Sequence, residues 1–415
     1  MKVGLEAALS DLNLDAGQAV SQRQLAVSLS AIPEAEGRTA PLNLCLILDH
    51  SGSMNGRPLD TVKQAAHCIV DSLSPGDRLS IIVFDHKAKV LVPNQVIENP
   101  ANVKVEINKL RASGGTAIDE GMRLGIEELA RGKQDAISQA FLLTDGENEH
   151  GSNDRCLKLA QLAASYNLTL STLGFGDHWN QDVLEQIADA AGGSLSYIQQ
   201  PEEAVGEFSR LFNRVQSVGL TNAHLLLTLP HPVRLAELKP IAQVVPETIE
   251  LTAVQTDPGQ STYLVRLGDL MVDVPRVVLA NLYISQLSEG QQPIATLQVR
   301  YDDPVRGQTE VLSDPLTVTG QVLKLYQPAV NPPVQQHVLA LAKYRQTQIA
   351  EMKLIQGDRA GAATMLQSAA KTALQMGDYN AATVLQDNAT RLQDGEELSE
   401  ADRKKTRIVS KTILQ

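Results

Sequence analysis

The chain has 415 residues, 43% hydrophobic and 20% charged, which is enough to bury a large core and suggests two or three domains. Its formal charge of -12 excludes nucleic acid or an anionic membrane surface as the main partner. Apolar runs such as LCLIL (44–48) and VVLANLYI (277–284) fall far short of the roughly 18 residues needed for a membrane span. Three scattered cysteines, Cys45, Cys68 and Cys156, make neither a disulfide framework nor a zinc site and agree with a reducing compartment.

The segment after Met1 has no secretory apolar region, so a cytoplasmic location is expected. In residues 1–35, Leu25, Val27 and Leu29 alternate with polar residues, as in a half-buried strand. Residues 1–35 are expected to supply strands to a later β-sandwich, which would make the next domain an insertion; a hairpin packed on that domain is the competing arrangement.

Residues 41–218 alternate short buried strands with amphipathic helices. NLCLILD is apolar almost throughout, as a parallel strand covered on both faces requires, and it ends at Asp49. A helix follows with Val62, Ala65, Ala66, Ile69, Val70 and Leu73 on one face, then strand LSIIVFD. KVLVPNQVI contains Pro93, which lacks a ladder donor and predicts an edge strand. Helices near 101–111, 117–131, 153–166, 181–191 and 202–217 alternate with strands AFLLTD, LTLSTLGFG and SLSYIQ. The pattern predicts a doubly wound, mostly parallel α/β sheet.

Residues 219–325 change to a period of two, as in Leu225, Leu227, Leu229 and in Val278, Ala280, Leu282, Ile284, which suggests an antiparallel sandwich. Residues 330–415 read as α-helices rich in Ala, Gln and Leu. Gly357-Asp358 and Gly377-Asp378 punctuate them, each glycine ending a helix and each aspartate capping the next, in an ordinary helical hairpin. The basic cluster in EADRKKTRIVSKTILQ reads as a solvated helix face.

The chemistry concentrates in Asp49-His50-Ser51-Gly52-Ser53-Met54, a loop leaving the first strand of the α/β region. A carboxylate and two hydroxyls alternate there and can converge on one point, which suits a hard cation with oxygen ligands. Thr116 in SGGTAID and Asp145 in LLTDGE fall in loops on the same carboxyl edge. Asp49, His50 and Ser51 are neighbours along one loop and cannot easily line up as a hydrolytic triad. SGGT lacks the ending of a phosphate loop.

With these motifs the chain resembles the von Willebrand factor type A (VWA) family over residues 41–218, and looks like its bacterial members in which β segments and C-terminal helices flank that domain. The resemblance implies a metal ion-dependent adhesion site in which Ser51, Ser53 and Thr116 offer hydroxyls and Asp49 and Asp145 act directly or through water. It implies Mg²⁺, with Mn²⁺ able to substitute and Ca²⁺ admissible, and a coordination position left for an acidic residue of a protein partner. His50, Asn55, Arg57, Glu147, Asn148, His178 and Trp179 are candidates for a partner-binding rim, with Glu149 and His150 beside them. The expected role is a non-catalytic intracellular adaptor or scaffold, by analogy beside an AAA-type ATPase or its client. The alternatives are a metal-assisted hydrolase and a structural domain whose helical tail carries the binding.

Overall fold

A computed structural model describes residues 1–33, 40–134, 136–176, 178–257, 260–272 and 274–411. Residues 34–35 of the N-terminal segment, Asp177 and the last four residues of the basic cluster lie outside this set. The chain opens with β1 (Lys2–Leu9), β2 (Asn13–Asp15) and β3 (Val20–Ile32). An α/β series follows: β4 (Leu42–Asp49), α1 (Arg57–Ser72), β5 (Arg78–Phe84), β6 (Ala88–Val96), α2 (Pro100–Asn108), α3 (Ile118–Arg131), β7 (Ile137–Thr144), α4 (Asn153–Ser165), β8 (Thr169–Phe175), α5 (Gln181–Ala191), β9 (Gly192–Ile198) and α6 (Ala204–Gln216). Next come β10 (Val218–Thr228), β11 (Val233–Leu235), β12 (Ile241–Val245), β13 (Ile249–Leu251), β14 (Ala253–Asp257), β15 (Gln260–Met271), β16 (Arg276–Ser285), β17 (Gly290–Asp303), β18 (Gln308–Leu312) and β19 (Leu316–Leu323). Helices α7 (Pro332–Ile355), α8 (Arg359–Gln375), α9 (Tyr379–Gln393) and α10 (Glu400–Lys411) complete it.

Two compact units divide these elements, one built mainly from Pro33–Asn222 and the other from Lys2–Ile32, Ala223–Tyr301 and Glu310–Gln415. In the first, the sheet order is β6-β5-β4-β7-β8-β9, parallel except for β6, which runs antiparallel to β5. The doubly wound reading therefore holds, and Pro93 lies in an edge strand. Every residue of β4 and β7 is buried, because helices cover both faces. Helix α1 contacts α2 and α6, while α3, α4 and α5 touch in series, so the helices form two sets. Cys45 and Ile47 of β4 pack with Met122, Ala160 and Leu184 from the second set, and Cys45 is the small buried apolar residue its strand requires. β5 and β7 flank β4 on opposite sides, so the connections after β4 diverge and leave a crevice at the carboxyl edge.

In the second unit one sheet has the order β1-β3-β16-β12-β13, with β11 on β16, and the other has β14-β15-β10-β17-β19-β2, with β18 on β17. β3 pairs with β16 from Val20↔Ser285 to Leu29↔Arg276. Leu25, Val27 and Leu29 are buried there. The helices are not separate from these strands: Val334, Leu341 and Tyr344 of α7 pack on Ala26, Ala242, Val277 and Leu279. Asp358 and Asp378 cap α8 and α9 through bonds from Gly361 N (2.8 Å) and Ala381 N (3.0 Å), and Gly357 and Gly377 take positive φ before them. The basic cluster departs from the solvated face expected of it, since Lys404 and Lys411 are buried. Lys343, itself 0% exposed, donates to Asp378 Oδ2 (2.9 Å) and to the Val409 carbonyl of α10 (2.8 Å). That bond draws α10 into the core and takes the adjoining lysines with it. Among the described residues no helix is long and apolar enough to cross a membrane.

Candidate functional site

Three loops meet at the carboxyl edge of the α/β sheet. The first follows β4, where Ser51 precedes a short 3-10 turn, Gly52–Met54, whose Met54 side chain is fully buried and pins the loop. The second joins α2 to α3 and carries Thr116. The third follows β7 and carries Asp145. Their register is set by main-chain bonds: His50 N donates to Phe84 O (2.9 Å), Ser113 N to His50 O (2.9 Å), Gly52 N to Gly114 O (2.9 Å), Ala117 N to Asp85 O (2.8 Å) and His150 N to Thr116 O (2.9 Å).

The side chains converge on this frame. Ser51 Oγ and Ser53 Oγ are 3.1 Å apart, and Ser53 Oγ donates to Asp145 Oδ1 at 2.7 Å, across 92 positions of sequence. Asp49 lies behind them, 0% exposed, with Oδ1 accepting from Ser51 N (2.7 Å) and Oδ2 from Thr144 Oγ1 (2.6 Å). Thr116 is buried, and Gly146 is the neighbour that leaves it room: a Cβ at Gly146 would stand 3.2 Å from Thr116 Oγ1. All five residues singled out in the sequence are thus held on these three adjoining loops.

Both carboxyl groups resist ionisation in this setting. Burial pushes Asp49 up to about 6, with the charge of Asp145 adding to it and the bonds from Thr144 and Ser51 opposing it. Burial also pushes Asp145 up, against the Ser53 hydroxyl and the nearby His178. Two carboxyl groups whose ionisation burial disfavours, beside three hydroxyls, are a site short of positive charge, and a donor set made only of oxygen fits Mg²⁺, Mn²⁺ or Ca²⁺ better than a soft metal. Among the described residues no three His, Cys, Asp or Glu side chains group as a metal site, so hydroxyls are indispensable to any cation held here.

The von Willebrand factor type A domain family matches residues 43–210, and the family described as Sll0103-like, C-terminal alpha-helical domain matches residues 332–415. Uncharacterized protein sll0103 of Synechocystis sp. is 61% identical over 415 residues, covering all of this chain and 98% of that protein. The chain belongs to the Sll0103-like VWA family. Human inter-alpha-trypsin inhibitor heavy chain H4 is 31% identical over 198 residues, 44% of this chain and 21% of that protein, so the likeness spans about a fifth of its length. Among solved structures, von Willebrand factor type A from Catenulispora acidiphila superposes with a TM-score of 0.81 at 18% identity, covering 99% of this chain and 97% of that one. The ArnB paralog VWA2 from Sulfolobus acidocaldarius gives 0.58 at 16%, covering 98% and 99%. At these identities the two structures share the fold.

Around the site of the VWA domain, Asn55, Arg57, Glu147, Glu149, His150 and His178 are exposed, and Arg57 pairs with Glu202. Three rim candidates face inward instead. Trp179 is 2% exposed; its indole donates to Gly176 O (2.7 Å) and its ring lies 5.6 Å from that of Tyr197, over the bare Gly174. It anchors its own loop. Asn148 Oδ1 accepts from Ile118 N (2.8 Å) at the start of α3. His50 is buried, and its Nδ1 lies 3.1 Å from Arg111 O. Burial lowers its pKa, against Asp85 and the Arg111 carbonyl, and because that carbonyl can only accept, Nδ1 is the donor of the bond. Thr144 and Gly146 were not singled out by the sequence; their only signal was adjacency to Asp145.

Proposed function

We propose that the VWA domain is a metal-dependent protein-binding module and that the chain acts as an adaptor rather than a catalyst. Ser51, Ser53 and Thr116 would hold the cation, with Asp49 and Asp145 acting directly or through water. When bound, the ion supplies a positive centre that an acidic side chain of a protein partner can complete. The observation that carries this reading is the Ser51–Ser53–Asp145 chain of hydroxyl and carboxylate contacts, assembled over buried Asp49 from loops far apart in sequence. Mg²⁺ is the ion proposed, with Mn²⁺ as its substitute. Asn55, Glu147 and His178 would then set partner choice from the exposed rim. An AAA-type ATPase or its client is the partner class proposed by analogy.

The test is titration calorimetry of the full chain with Mn²⁺, beside Ser53→Ala and Asp145→Ala, followed by affinity capture in Mg²⁺ and in EDTA. Saturable binding at one site that both substitutions abolish, together with capture lost in EDTA, is the expected result. Partners retained in EDTA and by both variants would move the function to the strands or helices of the second unit.

A further inference from the structure

Resting on the metal-binding reading, we infer that His50 is a positioning residue that sets Thr116 against the Asp49–Ser53 loop. Residue 50 is bonded through its backbone N–H, its carbonyl and one ring nitrogen. Its N–H donates to Phe84 O at the end of β5, its carbonyl accepts from Ser113 N, and its Nδ1 reaches Arg111 O at 3.1 Å. Gly52 N to Gly114 O adds a further link in the same direction. Two residues of the β4 loop, His50 and Gly52, therefore grip Arg111, Ser113 and Gly114, in the stretch that leads directly into Gly115 and Thr116.

The backbone links survive any substitution at position 50, whereas the ring link does not. Without it, residues 110–112 lose their tie to the β4 loop. Arg111 leaves no ready replacement, because its own guanidinium donates to the carbonyls of Asn108 and Leu110. Thr116 is held on the far side by His150 N and beside Gly146, and on the near side only the backbone links at Ser113 and Gly114 remain, so losing the ring link loosens the support of its hydroxyl. A ligand hydroxyl so loosened pays ordering entropy each time the cation binds, and outer hydrogen-bond partners of metal ligands matter typically by about 10–100-fold in affinity.

The experiment uses the full chain with His50→Phe, which keeps a buried ring but has no donor, His50→Ala as a second donor-free variant, and His50→Asn, whose amide stands where Nδ1 stands. Mn²⁺ affinity is read by calorimetry, and amide hydrogen exchange over residues 110–117 is read in EDTA. The expected result is a 10–100-fold weaker Mn²⁺ affinity and faster exchange over 110–117 in the Phe and Ala variants, with both restored in His50→Asn. Wild-type affinity in a folded donor-free variant overturns the inference. If the parent chain binds no Mn²⁺, the metal reading falls, and the exchange measurement alone then decides: unchanged protection in the donor-free variants overturns the positioning role as well.

Discussion

Thr144→Val isolates one atom of the candidate site. The two side chains have the same shape, so no cavity forms, and what is lost is a hydroxyl that donates to Asp49 Oδ2 at 2.6 Å and accepts from Gly146 N at 3.2 Å. Asp49 is wholly buried, and water cannot replace the donor. A hydrogen bond to a charged group contributes about 1.5–3 kcal/mol, and the Gly146 bond a fraction more, so the VWA unit should lose about 2–3 kcal/mol. With a urea slope of about 2–3 kcal/mol per molar, the midpoint drops by roughly 1 M. The chain has one tryptophan, and Trp179 is buried inside this unit, so its fluorescence reports this unit's unfolding. The measurement is made in EDTA with Thr144→Ser as the hydroxyl-keeping control. A Thr144→Val unfolding free energy within about 0.5 kcal/mol of the parent would refute the role given to this bond.

Asp11 accepts from Tyr326 Oη (2.5 Å), Asn13 N (2.9 Å) and Ala329 N (3.0 Å); burial raises its pKa, but these bonds together with Arg23 outweigh it and hold the carboxyl below its usual range. A depressed folded value means stabilisation that is present above the unfolded pKa of about 3.9 and is lost as pH falls through the folded value, so hydrogen-exchange protection around residues 9–13 and 326–331 should hold near pH 5 and decline below about 4, and Asp11→Asn should flatten that decline. Lys343→Met leaves buried Asp378 without its cation and should cost about 3 kcal/mol in chemical denaturation of the second unit; adding Asp378→Asn, which keeps the acceptor for Ala381 N, should recover more than half. A failure of the double substitution to recover any stability would contradict the pairing. Gly174→Ala puts a methyl 2.2 Å from the Trp179 ring, so a loss of about 1–3 kcal/mol and a shifted tryptophan emission are expected; an unchanged spectrum would count against the packing described.

The parallel sheet was legible because strands covered on both faces leave no alternation, only runs such as LCLIL and AFLLTD. The three loops of the site were legible for a related reason: a strand that ends on an aspartate presents its loop at the carboxyl edge, and D-x-S-x-S is local. What escaped depends on partners distant in sequence. Trp179 sits in a loop next to polar residues, and only Gly174, a bare position in a strand, hinted that a ring lies across it. His50 looked like a rim residue because its neighbours are hydrophilic, yet its bond goes to a carbonyl 61 positions away. The buried lysines of α10 follow from Lys343 reaching Val409 O, a contact with no periodic trace.

The strand β3 pairs with β16, and the whole of the VWA unit, about 190 residues from Pro33 to Asn222, lies between them in the chain. Closing so long a loop in an unfolded chain costs roughly 4–5 kcal/mol of entropy. If the VWA unit folds first, its ends are already fixed in space and most of that loss has been incurred before β3 meets its partner. During synthesis, therefore, β3 has no β16 to pair with until residues 276–285 have been made, after the whole VWA unit has left the ribosome.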